Sequence, residues 1–246
     1  MRSYFKQSYI SYLRDKIKSY PDVRCGYWGS QAGGKKFVWI RSNGKRYETH
    51  CVDSKKGKDL IAVKKESDDC KRILLKLESE WIEDYGQPCD SIPLRKVGQT
   101  HNKRLFESLE VGKNPYKKNN KIEYNGTVYR SNLESDFAKL MDSYGIPFKY
   151  EPEIKVYTRR NRYPDFIIYL PWLDLLILVE IYGKSNDPEY IVTIRDRQYD
   201  YMMSGWMQGI NMMSYYYYDK APYLPEMIME EIETVVMRNF LIMQYS

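Results

Sequence analysis

The sequence predicts an α/β fold in which a mixed sheet fills the second half of the chain, preceded by a small basic α+β module. Three observations lead there. Short strand-like runs at 25–28, 36–41 and 45–51 crowd around Ser42-Asn43-Gly44, and Asn-Gly tolerates the positive φ of a tight hairpin turn. From residue 131 onward, helical and strand-like stretches alternate. Charge divides along the same line: residues 1–130 hold 28 Lys/Arg against 16 Asp/Glu, whereas residues 131–246 hold 11 against 17. A basic half joined to an acidic one suggests a polyanion-binding module attached to something with a different task.

Apolar residues at Tyr4, Phe5, Tyr9, Tyr12, Leu13 and Ile17 recur at helical spacing and predict a helix over 4–19. A second helix is expected over 68–85, with Ile73, Leu74, Leu77, Trp81 and Ile82 on one side. Residues 1–85 therefore read as the basic module. Residues 86–120, rich in Pro, Gly, Asn, Lys and Gln, read as a linker. Another Asn-Gly pair, Asn125-Gly126, opens a more regular domain at 121–246. Its expected order is a helix at 131–144, strands at 153–157, 163–170 and 175–182, a helix at 194–203, a strand at 210–218 and a last helix at 224–243.

Composition removes several classes of function. No run approaches the roughly 18 apolar residues of a membrane span, and the first residues lack the apolar core of a secretory signal, so a cytoplasmic protein is expected. Four scattered cysteines without a CxxC pair argue against a zinc ribbon and for reduced thiols. With two histidines in the chain, His-based acid–base chemistry has little material.

The chemistry concentrates in two apolar strands flanking Pro171-Trp172-Leu173-Asp174, each carrying one acid among apolar neighbours. A turn centred between Trp172 and Leu173 sets Asp165 directly across from Glu180. Opposed residues of an antiparallel pair hold their Cβ atoms about 4.5–5.5 Å apart on one face. Carboxylates that close repel unless a proton or cation lies between them. Hard oxygen ligands of this kind suit Mg²⁺, with Mn²⁺ as its substitute. Ser131-x-x-Glu134 is a capping box, in which the Glu closes the first turn of a helix.

Pro164-Asp165 followed by Val179-Glu180-Ile181-Tyr182-Gly183-Lys184 resembles the PD-(D/E)XK nuclease superfamily. The resemblance spans about residues 127–220, and Tyr129 to Glu134 and Tyr150 to Glu153 fit it too. It implies a restriction-endonuclease-like αβββαβ core and hydrolysis of a phosphodiester by a metal-activated water. Asp165 and Glu180, with the Ile181 carbonyl, would hold the ion, and Glu134 would supply the additional acid of the first helix. The family's lysine stands two residues after the second acid, where this chain has Tyr182. Lys184 is the preferred substitute, although about 13 Å away if the strand stays extended. Lys155 is the other, if the turn 158–162 is centred on Arg160.

Arg159, Arg160 and Arg162 are expected to clamp phosphates, as are Arg195 and Arg197 on the following helix, where Arg195 and Tyr199 are spaced to face a scissile phosphate. Lys35, Lys36, Arg41, Lys45 and Arg46 would grip nucleic acid from the basic module, which resembles small DNA-binding modules such as the AP2-type fold. The expected partner is double-stranded DNA, and paired strand scission favours a homodimer or larger assembly. A phage or mobile-element (homing-type) endonuclease fits best. The alternatives are a structure-specific nuclease such as a junction resolvase, and a catalytically inactive nuclease-fold protein kept for DNA binding or assembly.

Overall fold

The computed structural model describes residues 3–28, 35–94, 102–116, 122–183, 187–217 and 224–245. Two compact units emerge, one of Lys6–Pro93 and one of Leu94–Ser246 together with Met1–Phe5. No helix among the described residues is long and apolar enough to cross a membrane, and no disulfide joins the four cysteines.

The first unit holds most of α1 (Tyr4–Ser19), then β1 (Asp22–Trp28), β2 (Lys35–Ser42), β3 (Lys45–Cys51) and α2 (Lys55–Tyr85). The strands form one antiparallel sheet in the order β1-β2-β3. Asn43 and Gly44 turn β2 into β3 with φ of 50° and 78°, as a two-residue hairpin requires. Val38 faces α2 and is sealed from solvent, whereas Lys35 and Arg41 lie exposed on the opposite face with Trp39 between them.

Helix α2 begins 13 residues before the predicted start at 68. The reason lies on its buried face, which carries Gly57 and Ser67 in the early turns and Ile73, Leu77 and Trp81 only later. Small residues bring the helix close to the strands but leave no apolar stripe to read. Ser54 caps the helix by accepting from the Gly57 amide at 3.1 Å, and Gly86 ends it in a left-handed conformation.

The second unit opens with α3 (Asn102–Ser108), inside the stretch expected to be a linker. Its Phe106 stacks on Tyr169 at 5.4 Å between ring centroids, so this part of the stretch belongs to the folded unit. Next come the hairpin β4 (Ile122–Tyr124) and β5 (Thr127–Tyr129), helix α4 (Asn132–Tyr144), β6 (Phe148–Tyr150), and a small hairpin of β7 (Ile154–Lys155) and β8 (Asn161–Arg162). Strands β9 (Phe166–Leu170) and β10 (Leu175–Tyr182), helix α5 (Pro188–Met203), β11 (Met212–Tyr216) and helix α6 (Pro225–Tyr245) complete it. The main sheet runs β11-β10-β9-β6, with β10 and β11 parallel and the other pairs antiparallel.

The predicted strands at 153–157 and 163–170 are thus each shortened, to β7 and β9. Pro152 and Pro164 lack the amide hydrogen that a continuous ladder needs, and they separate the β7–β8 hairpin from the β6–β9 pair. Strands β9 and β10 are buried on both faces, as a central position demands. On one face Phe166 packs against Phe137 of α4 at 4.6 Å. On the other, Ile167, Tyr169, Leu176 and Leu178 form a cluster with Tyr201 of α5 and Met212 of β11. Helix α5 starts earlier than its expected bound at 194, because the Asp187 cap and Pro188 at its first position initiate it through the β-branched Ile191, Val192 and Thr193.

Helix propensity alone favours replacing Gly57 with alanine by about 1 kcal/mol. A Cβ there would meet the Cys51 carbonyl oxygen at 2.0 Å. Gly57→Ala is therefore expected to lower the urea midpoint of the full chain, and a raised midpoint would show that the turn before α2 yields freely.

Candidate active site

Strand β9 pairs with β10 so that Leu170 lies opposite Leu175 and Phe166 opposite Val179; one step further, the register sets Asp165 against Glu180. Two bonds anchor Asp165 just outside β9. Its carbonyl accepts from the Glu151 amide at 3.0 Å, and its Oδ2 accepts from the Ile181 amide at 2.7 Å. The two acids therefore stand at one end of the hairpin on the face covered by α5. Glu180 is completely enclosed. Its Oε1 accepts from the Tyr201 hydroxyl at 2.6 Å and forms an ion pair with the Arg197 guanidinium at 2.9 Å. Its Oε2 has no donor among the described residues unless Asp165 keeps its proton.

These surroundings draw both groups toward their neutral forms. Burial and the Glu180 charge push the Asp165 carboxyl well above the usual carboxylate range, against the pull of Arg197 and the Ile181 amide. Burial also raises Glu180, offset by Arg197 and Tyr201. Glu134 is raised by burial and then by the Asp165 charge. Carboxylates gathered in a low-dielectric site behave this way when nothing but a single cation compensates them.

Glu134 sits in the first turn of α4, and both its oxygens are engaged. Oε2 accepts from the Arg130 amide at 3.0 Å and the Tyr150 hydroxyl at 2.6 Å, while Oε1 accepts from the Ser131 hydroxyl at 3.1 Å. Ser131 in turn accepts from the Glu134 amide at 3.2 Å, so the capping-box role is realised. Nearby, Glu151 is buried with a φ of 46°. Such a conformation costs a non-glycine residue about 1–2 kcal/mol. It is held by an ion pair with Arg130 and by Asn114 donating at 2.7 Å, and its amide is the one that grips Asp165.

The structure redistributes the basic residues named from the sequence. Arg197, expected to touch only phosphate, lies against Glu180 and also donates to the Tyr163 carbonyl at 3.1 Å. It shares a helix face with Tyr190, Ile194 and Tyr201, the buried or half-buried side of α5. That apolar spacing at 190, 194 and 201 was the signal that could have placed Arg197 in the site. Arg195 and Tyr199 point the other way and are exposed, with Arg195 paired to Asp196 at 3.3 Å. Arg162 is no free clamp: its Nε donates to buried Asp200 at 2.7 Å, tying β8 to α5. Arg159 and Arg160 are exposed in the β7–β8 turn.

Lys155 pairs with Asn161 and is exposed, not opposite Asp165, because Arg159 takes a φ of 60° and shifts the turn toward Thr158. It cannot supply the site's lysine. Lys184, the preferred substitute, lies outside the described residues. Tyr182 fills the position two residues after Glu180, and its buried hydroxyl has no partner among the described residues. In the first unit, Lys35, Lys36, Arg41, Lys45 and Arg46 are all exposed on β2 and β3, and Arg46 lies over the Trp39 ring at 4.3 Å.

Among the described residues no group of three or more His, Cys, Asp or Glu side chains is gathered as a complete metal-ligand set. The donor set at hand is the Asp165–Glu180 pair with one buried oxygen left over. That fits a hard divalent ion, which typically takes one or two protein carboxylates and fills its other positions with water or phosphate oxygen.

A carboxyl whose folded pKa is raised contributes stability that is full below its unfolded value and is lost as pH rises through the folded one. The cation-free protein should therefore lose stability as pH climbs above the ordinary carboxylate range. An asparagine at position 165 can accept from Ile181 and donate to Glu180. Asp165→Asn should remove that decline and raise stability by about 1–3 kcal/mol at neutral pH, the usual cost of an unsatisfied buried polar group. Denaturant titrations across pH, in the presence of chelator, check both; a variant with the wild-type slope would contradict the opposed-carboxylate geometry.

Compared with known proteins, the chain matches no family model, no curated protein and no solved structure, so the reading of this site stands on its own residues.

Proposed function

We propose that the chain is a Mg²⁺-dependent endonuclease that hydrolyses phosphodiester bonds in double-stranded DNA, with Mn²⁺ able to replace Mg²⁺. The observation that carries the reading is the pair of half-buried Asp165 and enclosed Glu180, facing each other at the end of β9 and β10 with an unpartnered carboxylate oxygen among the described residues. The order of elements supports it. Helix α4, the antiparallel β6, β9 and β10, helix α5 and the parallel β11 follow the αβββαβ sequence of the PD-(D/E)XK superfamily, with the β7–β8 hairpin as an insertion.

In this reading Asp165 and Glu180 hold the ion, and Glu134 adds negative field from the start of α4. When bound, the ion supplies an activated water and neutralises charge on the phosphate. The Ile181 amide and Tyr201 hydroxyl fix the two carboxylates, so little reorganisation is needed as the ester approaches. Water oxygen adds to phosphorus, one phosphorus–oxygen ester bond breaks, the water's proton leaves to solvent, and the departing oxygen takes up a proton.

The first unit supplies the grip. Lys35, Arg41 and Arg46 share a face with Trp39, and Lys45 lies beside them at the hairpin turn, a basic and aromatic surface suited to phosphates and bases. A separate gripping module favours a sequence-reading nuclease of the phage or mobile-element kind over a junction resolvase. A second reading, an inactive nuclease-fold protein retained for DNA binding, is favoured by two observations: Arg197 already pairs with Glu180, and Tyr182 stands where a lysine is expected.

Supercoiled plasmid should be nicked with Mg²⁺ or Mn²⁺ and left intact with EDTA. Asp165→Ala and Glu180→Ala should each lower the rate roughly 10²-fold or more. Nicking that survives Asp165→Ala would sink the site, and absence of nicking beside intact DNA binding would select the second reading.

Affinity for duplex DNA should fall steeply with salt. Replacing Lys45 and Arg46 together with alanine should make the slope of log affinity against log salt shallower by about 2, roughly 1 for each phosphate contact removed. An unchanged slope would take the β2–β3 hairpin out of the interface.

A further inference from the structure

We infer that Arg197 is a catalytic residue of the acid site, a guanidinium that neutralises Glu180 in the resting chain and passes to the scissile phosphate when substrate binds. The inference rests on the nuclease reading above and adds to it the cation that contacts the reacting ester.

The argument begins with charge. Asp165, Glu180 and Glu134 bring three carboxyl groups within electrostatic reach of one another, and a polyanionic ester entering there needs positive charge beyond the ion. Two places after Glu180 the strand carries Tyr182 in place of a cation. Nor does Lys155 provide one, being exposed and paired with Asn161. Among the described residues, the cation that acts on both Asp165 and Glu180 comes from α5, and it is Arg197.

Its geometry suits a second partner. Its Nη2 donates to the Tyr163 carbonyl at 3.1 Å and stands 2.9 Å from Glu180, and a guanidinium carries five N–H donors in all. The side chain is 22% exposed while Glu180 is at 0%, so the guanidinium stands between the enclosed acid and the surface from which a phosphate arrives. A planar fork of donors matches two phosphate oxygens at once, which a purely structural counter-ion has no need to do.

Handing Arg197 over has a consequence for binding. With a divalent ion and the guanidinium both drawn to Glu180, each weakens the hold of the other. Removing Arg197 should therefore tighten Mn²⁺ binding while slowing cleavage, two effects of opposite sign. A merely structural arginine would lower both through a loosened site.

The test uses the full chain. Wild type, Arg197→Ala, Arg197→Gln, Arg197→Lys and Asp165→Ala are compared for Mn²⁺ affinity by electron paramagnetic resonance and for plasmid nicking. Arg197→Gln keeps hydrogen-bond donors for Glu180 without the charge, and it carries the comparison if the alanine variant does not fold. Nicking is expected to drop roughly hundredfold or more in the alanine and glutamine variants, with Mn²⁺ affinity equal or higher. Arg197→Lys should restore part of the rate, as should guanidinium ion added to Arg197→Ala. If either neutral variant nicks within about threefold of wild type while Asp165→Ala is dead, the inference is overturned and the nuclease reading stands. A fall in Mn²⁺ affinity parallel to the fall in rate also overturns it. If Asp165→Ala itself nicks like wild type, the site assignment has failed and takes this inference with it.

Discussion

Two carboxyl groups held face to face, one enclosed and the other half-buried, set the terms for the second unit. Glu180 has no solvent exposure, and Asp165 stands against it one step beyond the paired residues of β9 and β10. Burying an uncompensated carboxylate is expensive, and burying two is more so unless something is arranged around them. What is arranged is specific. An amide from Ile181, a hydroxyl from Tyr201 and the guanidinium of Arg197 all converge on the pair. The amide belongs to β10 and the other two groups to α5, so a strand and a helix are committed to the same few atoms.

The price appears in the backbone beside the pair. Glu151 adopts a left-handed conformation that no glycine relieves, and it is itself a buried acid needing Arg130 and Asn114. Strain of this size persists where surrounding contacts over-determine it, and it concentrates at functional sites. Pro152 and Pro164 contribute from the other side. By interrupting the ladder they release Asp165 from regular pairing, so that its side chain turns to the Ile181 amide. A sheet optimised for stability alone would have continued through this point.

Much of this was legible in order of residues. The turn at Pro171 to Asp174 fixed the pairing of β9 with β10, and β10 carries the bounds its apolar run implied. What sequence could not show follows from contacts distant along the chain. Arg197 looks like one of several surface arginines until α5 is laid against the sheet and turns it inward. Arg162 reads as a phosphate clamp because nothing local announces Asp200 as its partner. The early turns of α2 escaped notice because close packing there uses Gly57 and Ser67, which carry no hydrophobic signal. Lys155 was misplaced by one left-handed residue, Arg159, which moved a turn centre and with it every facing pair of a short hairpin.

Helix α5 carries Arg197, Asp200 and Tyr201 within five consecutive residues; Arg197 and Tyr201 meet the same Glu180 oxygen, and Asp200 holds Arg162. Adding or deleting one residue upstream in that helix would swing all three by about 100°. Its outer face can drift freely in composition, but its length cannot. Natural variation among chains of this kind should therefore show many substitutions and no insertions between the Asp187 cap and Tyr201.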